Sequence, residues 1–229
     1  MRFEPPLSPG SLVRRYKRFL ADVTIAGRAQ TVHVANPGSM LGLALPGSRI
    51  WLSASKNPAR KLPLSWELVE VAGSLVGINT GYANRLAEEA IRRGHIEALT
   101  GYASLRREVA YGEGSRVDFL LEGEGRPPCY VEVKSVTLKR GATAEFPDAV
   151  TARGERHLRE LIAMRQAGAR AVMLFIAQRN DCRRLTIAGD IDPAYEAALA
   201  LAQEAGIEVI AYACSVGPEG IEVAGKLAF

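Results

Sequence analysis

Two carboxylates and one ammonium group are the side chains of this sequence whose types and spacing best fit catalytic chemistry. Asp118 precedes a turn rich in glycine and proline, and Glu132 and Lys134 follow it with one residue between them. Two carboxylates that approach each other repel unless a cation lies between them. A hard divalent ion such as Mg²⁺ or Mn²⁺ meets that need, since Mg²⁺ binds through one or two carboxylates, water and phosphate oxygens. With a metal held by Asp118 and Glu132, Lys134 could orient a water molecule or neutralise charge on a phosphodiester.

The predicted elements around these residues explain how they meet. Residues 115–121 and 129–136 are predicted strands, and the turn between them favours an antiparallel hairpin. Because side chains alternate along a strand, Val131 and Val133 face one side of the hairpin, and the charged side chains of Glu132 and Lys134 face the other. In such a hairpin the Asp of the first strand comes beside the Glu of the second. A half-exposed strand with alternating charges can also contain Glu-x-Lys, with the two residues forming an ordinary solvated pair. The spacing alone therefore leaves both interpretations open.

The sequence on either side of the hairpin predicts an α/β domain. Helices are expected over residues 83–94, 153–167 and 192–205, where apolar residues recur with helical spacing or Pro marks the first turn. The wholly apolar run 171–177 is typical of a strand buried on both faces, and a further strand is expected over 207–215. Strands alternating with helices in this way indicate a mixed sheet covered by helices.

The first third of the chain differs in charge and pattern. Residues 1–80 contain ten Lys and Arg against four Asp and Glu, a balance of +6, whereas the remaining residues contain nineteen against twenty-one, a balance of −2. Predicted strands separated by turn residues cover part of 12–25, then 29–35, 49–53, 65–71 and 74–79. About five short strands at this spacing favour a small OB-like β-barrel. We therefore expect a nucleic-acid-binding barrel over 1–81 and an α/β domain over 82–229.

Candidate nucleic-acid contacts concentrate in that basic region. Residues 14–19 interleave charged and aromatic side chains, so that the charges can follow phosphates while a ring stacks on a base. On one continuous strand Arg14, Tyr16 and Arg18 share a face, and Phe19 joins the core. A solvated basic strand without a partner is the alternative interpretation. The candidates in the strand, in a loop and in the helix after the hairpin are Arg14, Arg15, Tyr16, Lys17, Arg18, Lys56, Arg60, Lys61, Arg153 and, as an accessory, His157.

Composition excludes several classes of protein. With 229 residues, 48% of them hydrophobic, the chain can bury a sizeable core and is expected to be globular. It has no apolar run of about 18 residues and no signal peptide, so we expect a cytoplasmic protein without a membrane partner. Cys129, Cys182 and Cys214 are too few and too far apart for a disulfide framework or a Cys-x-x-Cys metal site.

Longer runs of sequence carry a family resemblance. They cover residues 14–20, 37–40, 57–61, 66–68, 106–109, 130–138, 146–151 and 190–195. Along nearly its whole length the chain resembles the sugar fermentation stimulation protein A family, and its hairpin resembles the PD-(D/E)xK phosphodiesterase superfamily. One departure is Pro37, which stands where the family usually has Thr and so removes a hydroxyl group.

The resemblance implies a fold, partners and site residues. The implied fold is an N-terminal OB-like barrel followed by a PD-(D/E)xK nuclease-like α/β domain with a mixed sheet. The implied functions are DNA binding without strong sequence preference and a role in regulating sugar metabolism, particularly that of maltose. Asp118, Glu132 and Lys134 match the nuclease-like motif, and Glu89 matches an additional helix carboxylate of that superfamily. Glu89 could equally pair with an arginine one turn later in its own helix.

Three hypotheses follow from the sequence. The first is a DNA-binding protein that retains a divalent-metal-dependent phosphodiesterase site. The second is a DNA-binding regulator whose nuclease-like site is catalytically silent. The third, a phosphatase or phosphodiesterase acting on small molecules, uses the same carboxylates but gives no reason for the basic first region.

Overall fold

A β-barrel forms the first part of the computed structural model, which describes residues 1–112 and 114–229. Its strands are β1 (Ser8–Tyr16), β2 (Leu20–Ile25), β3 (Arg28–Val34), β4 (Arg49–Ala54), β5 (Leu64–Val71) and β6 (Ser74–Gly77). They pair in the order β3-β2-β1-β4-β5-β6, and a parallel pairing of β3 with β5 closes the barrel. Alternate side chains point inwards and form a core that includes Leu12, Ile50 and Trp66.

A mixed six-stranded sheet forms the second part, together with a small three-stranded sheet. The strands are β7 (Ser104–Tyr111), β8 (Ser115–Glu122), β9 (Cys129–Val136), β10 (Leu138–Arg140), β11 (Thr143–Phe146), β12 (Arg170–Ala177), β13 (Arg184–Ile187), β14 (Glu208–Gly217) and β15 (Gly220–Leu227). The large sheet has the order β15-β14-β12-β9-β8-β7, and the small one has the order β10-β11-β13. In the large sheet β9, β12 and β14 are parallel and the outer pairs are antiparallel.

Helices cover both faces of the large sheet. They are α1 (Tyr82–Arg92), α2 (Ala152–Gln166) and α3 (Pro193–Glu204), with a short 3₁₀ helix at Glu97–Leu99. The Thr151 hydroxyl caps α2 and the Asp192 carboxylate caps α3, each by accepting a hydrogen bond from a backbone N–H of the first turn. The apolar face of α1 packs on one side of the sheet, and α2 and α3 pack on the other. Within the described residues, no helix combines the length and the apolar character that a membrane crossing requires.

The first residues of the chain pack on the α/β part rather than in the barrel. The Met1 ammonium group donates a hydrogen bond of 2.6 Å to the carbonyl of Ile221, and the Phe3 N–H donates to the carbonyl of Glu219. Met1, Phe3 and Leu7 belong to the same apolar core as α1. The chain therefore touches the second part before it enters the barrel, and a boundary near residue 81 stays a prediction.

Hydrogen bonds and apolar packing join the barrel to the α/β part. Buried Gln178 donates from Nε2 to the carbonyl of Asn79 over 2.8 Å. The Asp148 carboxylate of the α/β part accepts a hydrogen bond of 2.9 Å from the Met40 N–H of the barrel. A Cβ atom at Gly38 would collide with the same carboxylate, so only glycine allows this close approach.

The structure corrects one prediction within the basic segment. Strand β1 ends at Tyr16 instead of continuing, because Lys17 and Arg18 adopt positive φ values of 46° and 63°. This turn breaks the alternation on which the expected burial of Phe19 depended. The prediction that Phe19 joins the core is therefore wrong, and its side chain is 44% exposed.

Several strands had no prediction from the sequence. Strands β7 and β15 are the two edges of the large sheet, and β10, β11 and β13 form the small one. Strand β7 is mostly exposed and carries two arginines and a glutamate, so its sequence lacks the apolar pattern of a buried strand. Such strands are defined by the neighbour with which they pair.

Candidate active site and nucleic-acid surface

The hairpin of β8 and β9 places Asp118 beside Glu132, as the alternation of side chains predicts. The strands are antiparallel, with Phe119 opposite Val131 and Leu120 opposite Tyr130. This register brings Asp118 opposite Glu132, one position further along. The buried side chains of Val131 and Val133 pack in the core with α1, so the intervening Glu132 points to the other face.

Asp118 is held in position by two donors. Its Oδ2 accepts a hydrogen bond of 2.7 Å from the Val133 N–H, and its Oδ1 accepts one of 2.6 Å from Nδ2 of Asn84 on α1. Burial, together with the negative charge of Glu132, raises the pKa of Asp118 to about 6. The contribution of Glu132 agrees with the strand register, which sets the two carboxylates opposite each other.

Glu132 is nearly inaccessible, with 2% of its surface exposed, and two nitrogen groups surround it. Its Oε1 accepts a hydrogen bond of 2.8 Å from the Lys134 ammonium group and contacts Nδ1 of His157. Burial favours the protonated acid, but the His157 hydrogen bond and the Lys134 charge outweigh it and lower the pKa of Glu132. The carboxylate is therefore ionised, and its Oε2 is buried with no hydrogen-bond partner among the described residues.

His157 is buried beside Glu132 instead of lying at a surface that could contact nucleic acid. Only 3% of its surface is exposed, so a direct contact with nucleic acid, expected as an accessory, does not fit its burial. Arg153 donates from Nε to Nε2 of His157 over 3.2 Å. Because Nε2 accepts from Arg153, Nδ1 is the ring nitrogen that donates to Glu132. His157 orients Glu132, while Arg153, one turn earlier on α2, remains exposed.

Glu89 is not among the side chains that meet at Asp118. Its carboxylate binds the Met1 ammonium group over 2.8 Å and the Arg93 guanidinium over 2.7 Å. Residues five apart on a helix point in different directions, and it is Asn84 that α1 turns towards the hairpin. The pairing with an arginine one turn later is thus present, and the carboxylate is separated from the other three motif residues.

Sequence reasoning missed three polar groups of this site. One is Asn84, and the others are the hydroxyls of Tyr111 and Tyr195, which are buried and have no hydrogen-bond partner among the described residues. Burial and the nearby charge of Glu132 raise the pKa of both phenols. Nothing in the local sequence distinguishes these residues from ordinary helix or core positions.

The donor set fits a hard cation with few protein ligands. No group of three or more His, Cys, Asp and Glu side chains in the described residues is arranged to hold a metal ion. Two opposed carboxylates are present, however, and the orphaned Oε2 of Glu132 is a buried acceptor in need of a positive partner. Mg²⁺ and Ca²⁺ both prefer carboxylate oxygen, and Mg²⁺ usually keeps several waters or phosphate oxygens.

A cleft between the barrel and the α/β part leads to this site. Its volume is about 420 Å³, within the range of small ligand sites. Asn84 and Lys134 line it, and they are the direct partners of Asp118 and Glu132. Arg18 of the barrel lines the same cleft.

Of the candidate nucleic-acid contacts in β1 and the following turn, those in the strand have partners within the protein and those in the turn have none among the described residues. Arg14 binds Asp22 over 2.8 Å and lies over the Tyr16 ring, and the Tyr16 hydroxyl also donates to Asp22. The Arg15 guanidinium donates only to backbone carbonyls, so it has a structural role. Lys17 and Arg18 lie in the turn, and no carboxylate of the described residues comes within ion-pair distance of them. Of these five candidates, the turn residues are the most available to an anion.

Three further predicted contacts with nucleic acid lie in the loop between β4 and β5. Lys56 and Lys61 are exposed, and Arg60 is partly buried, with its charge close enough to affect His33 and Glu67. Lys56 lines a pocket with the first residues of the chain and Arg85, apart from the cleft lined by Arg18. The structure thus does not bring this loop together with the turn after β1 in one pocket.

Comparison with known proteins accounts for both parts of the chain. Residues 13–78 match a family model described as the SfsA N-terminal OB domain, and residues 81–220 match one described as the sugar fermentation stimulation protein RE domain. The predicted fold class, an OB-like barrel followed by a nuclease-like α/β domain with a mixed sheet, is confirmed.

Relatives and a solved structure match over nearly the whole chain. The sugar fermentation stimulation protein homolog of Rhodospirillum centenum is 57% identical over 97% of both chains, and that of Paramagnetospirillum magneticum is 54% identical over 99% of this chain and 97% of its own. A structure of Pyrococcus furiosus SfsA in complex with Ca²⁺ is 29% identical, with a TM-score of 0.91 over 100% of this chain and 97% of that one. The resemblance predicted from the sequence is confirmed, and the chain belongs to the sugar fermentation stimulation protein family.

Proposed function

We propose that this protein binds DNA without strong sequence preference and cleaves its phosphodiester backbone with a divalent cation held by Asp118 and Glu132. The observation that carries the proposal is the opposed carboxylate pair, with a buried, unpartnered oxygen on Glu132, behind a cleft lined by Lys134 and Arg18. Buried charges of this kind are costly for folding alone, so a site that uses them chemically is the better explanation.

The nature of the bound ion in a relative supports a divalent cation. The Pyrococcus furiosus protein forms a complex with Ca²⁺, an ion that binds carboxylate and carbonyl oxygens. Mg²⁺ uses the same ligand chemistry with a smaller radius and a strong preference for phosphate and water as further ligands. We therefore propose Mg²⁺ or Mn²⁺ as the working ion, which would supply charge to stabilise a transferring phosphoryl group.

The residues of the site divide the work. Asn84 and the Val133 N–H fix the orientation of Asp118, and His157 and Lys134 keep Glu132 ionised and in place. Lys134, with its ammonium group at the cleft, is positioned to donate to a water molecule or a phosphate oxygen. Arg18 on the opposite wall is suited to hold the backbone of the substrate by charge.

We also propose the cytoplasm as the place of action and the regulation of sugar metabolism as the role implied by the family. Three buried thiols suit a reducing compartment, and burial raises their pKa to about 11 for Cys129 and Cys182 and to about 12 for Cys214.

A cleavage assay with matched variants tests the catalytic proposal. Single-stranded, double-stranded and branched DNA are incubated with the full chain and Mg²⁺, Mn²⁺ or Ca²⁺. We expect cleavage that requires a divalent ion and that falls by about 10²–10³-fold or more in Asp118→Asn and Glu132→Gln, while DNA affinity in the absence of metal is retained. Glu89→Gln is the control, because Glu89 lies outside the cleft, and it should cleave like the wild type.

A catalytically silent DNA-binding regulator is the second candidate. It is favoured by the hydrogen bonds of Asp118, both of whose oxygens already have protein donors. If none of the three DNA forms is cut with any of the metals although the wild type binds them, the silent regulator is correct and the nuclease proposal fails.

A further inference from the structure

We propose that the turn between β1 and β2, which consists of Lys17, Arg18 and Phe19, is a binding site for an unpaired nucleotide at the mouth of the interdomain cleft. The inference rests on the proposed DNA binding and deepens it by naming the substrate class. That class is DNA with unpaired nucleotides, such as a single strand or a flap, in preference to a blunt duplex.

The backbone of the turn directs the three side chains outwards. Lys17 and Arg18 adopt the left-handed conformation, with φ values of 46° and 63°, which residues with a Cβ atom adopt only where the surrounding structure holds them. As a result Phe19, which a continuous strand would bury, is 44% exposed. A large apolar ring kept in solvent beside two cations suits a ligand with both a flat face and a negative charge.

Arg15 anchors the turn to the wall of the cleft. From Nε and Nη2, Arg15 donates hydrogen bonds of 3.1 and 2.8 Å to the carbonyl of Arg18. The same guanidinium donates to the carbonyls of Asn36, Gly38 and Ser39, over 2.9, 2.9 and 3.0 Å. Asn36 and Gly38 line the cleft, so the turn and the cleft wall are fixed to each other. A turn ordered before binding avoids much of the entropy that a mobile loop would lose on binding.

Phe19 differs from the other exposed apolar side chains. The aliphatic ones have no ring to stack, and they are Val13, Leu41, Leu45, Val150 and Leu201. Phe229, also exposed, stacks on Phe175 at a centroid distance of 6.2 Å. Among the described residues no aromatic ring pairs with Phe19. Its face is thus available to a base.

The combination of ring and charges selects the type of nucleic acid. Single-stranded binding sites combine a basic groove along the backbone with aromatic rings on which bases stack. In a duplex the faces of the bases are already covered by their neighbours, so a ring can stack only on a base that is unpaired or unstacked. Arg18, which lines the cleft with Lys134, would hold the phosphate next to the base that Phe19 receives.

The test compares two DNA probes with the full chain, in EDTA so that no cleavage occurs. One probe is a duplex with a short single-stranded flap that contains 2-aminopurine, and the other is a blunt duplex of the same length. We expect Phe19→Ala to weaken binding of the flap about 5- to 150-fold, the factor that corresponds to stacking of one base, and to change binding of the blunt duplex less than about twofold. We expect Phe19→Tyr to retain the wild-type preference, and 2-aminopurine fluorescence to be quenched by the wild type but not by Phe19→Ala.

Leu45→Ala is the matched control, since Leu45 is an exposed apolar side chain of the barrel, 61% accessible, that lies outside the turn. Unfolding curves should show that all three variants are as stable as the wild type. The inference is overturned if Phe19→Ala weakens both probes equally or neither of them, or if the wild type binds the blunt duplex as tightly as the flap. If the wild type binds no DNA at all, the proposed function fails with it, whereas metal-dependent cleavage without a Phe19 effect overturns this inference alone.

Discussion

Two ionic clusters, one in each region of this molecule, use charge in opposite ways. In the barrel the pair of Arg14 and Asp22 lies at the surface, with the arginine side chain 68% exposed. In the α/β domain Glu132, Lys134 and His157 interact in a buried cluster. Surface charges are hydrated and act almost independently, whereas buried charges depend on each partner. This contrast supports our proposals that the barrel attracts a polyanion in a graded way and that the α/β domain holds a fixed catalytic arrangement.

The largest expected effect of this difference is on stability. Asp181, in the α/β domain, binds the buried Arg179 over 2.7 Å and Lys139 over 2.6 Å. Asp181→Asn should lower the free energy of unfolding by about 3–5 kcal/mol, because it leaves a buried guanidinium without its charge partner. The matched barrel variant Asp22→Asn should have a much smaller effect, measured by urea denaturation at pH 7. Equal losses for both variants would contradict the contrast between the regions.

The ionic contacts of Asp181 also predict how the stability of the protein depends on pH. Burial opposes ionisation of Asp181, but the hydrogen bonds from Arg179 and Lys139 outweigh it and hold its pKa well below the usual range. A lowered pKa in the folded state means that the stabilisation is complete above the unfolded pKa of about 3.9 and is lost as the pH falls through the folded pKa. The difference in stability between the wild type and Asp181→Asn should therefore be constant from pH 7 to 5 and shrink below about pH 4. A difference that does not change with pH would contradict this account.

A smaller effect is expected from a residue that acts through another. His157→Ala should weaken divalent-metal binding or cleavage by about 10- to 100-fold, because Glu132 loses the donor that orients it. His157→Asn places an amide N–H near the position of Nδ1 and should restore most of the loss. Calorimetric titration with metal, together with kcat and KM, distinguishes this from a loss of folding. Unchanged metal affinity in His157→Ala would remove His157 from the site.

The smallest effects are expected for single charges of the barrel. Lys17→Gln should reduce the slope of log K against log salt by about 0.7 for single-stranded DNA, the contribution of one phosphate contact. Arg14→Gln should reduce it less, because Asp22 already neutralises Arg14. Affinities measured by fluorescence anisotropy from 50 to 200 mM salt provide the comparison. A larger change for Arg14 than for Lys17 would reverse our assignment of the available cations.

Much of the site follows from local pattern. Alternation along β9 and the turn before it are enough to place Glu132 and Lys134 on one face, opposite Asp118. These relations are local because the period of a strand and the geometry of a hairpin do not depend on distant residues. Glu89 shows the limit of such reasoning, since the helix on which it lies was predicted but the direction of its side chain was not.

The sequence by itself determined the family, the barrel followed by a mixed-sheet domain, and the hairpin that carries two carboxylates and a lysine. Only the tertiary structure decided that Asn84 holds Asp118 across 34 positions of sequence and that His157 holds Glu132 across 25. It also decided that Phe19 is exposed to solvent, because two residues with positive φ end β1 where the sequence pattern predicted that the strand would continue. Contacts between residues far apart in sequence depend on how helices and sheets pack, and no local period records them.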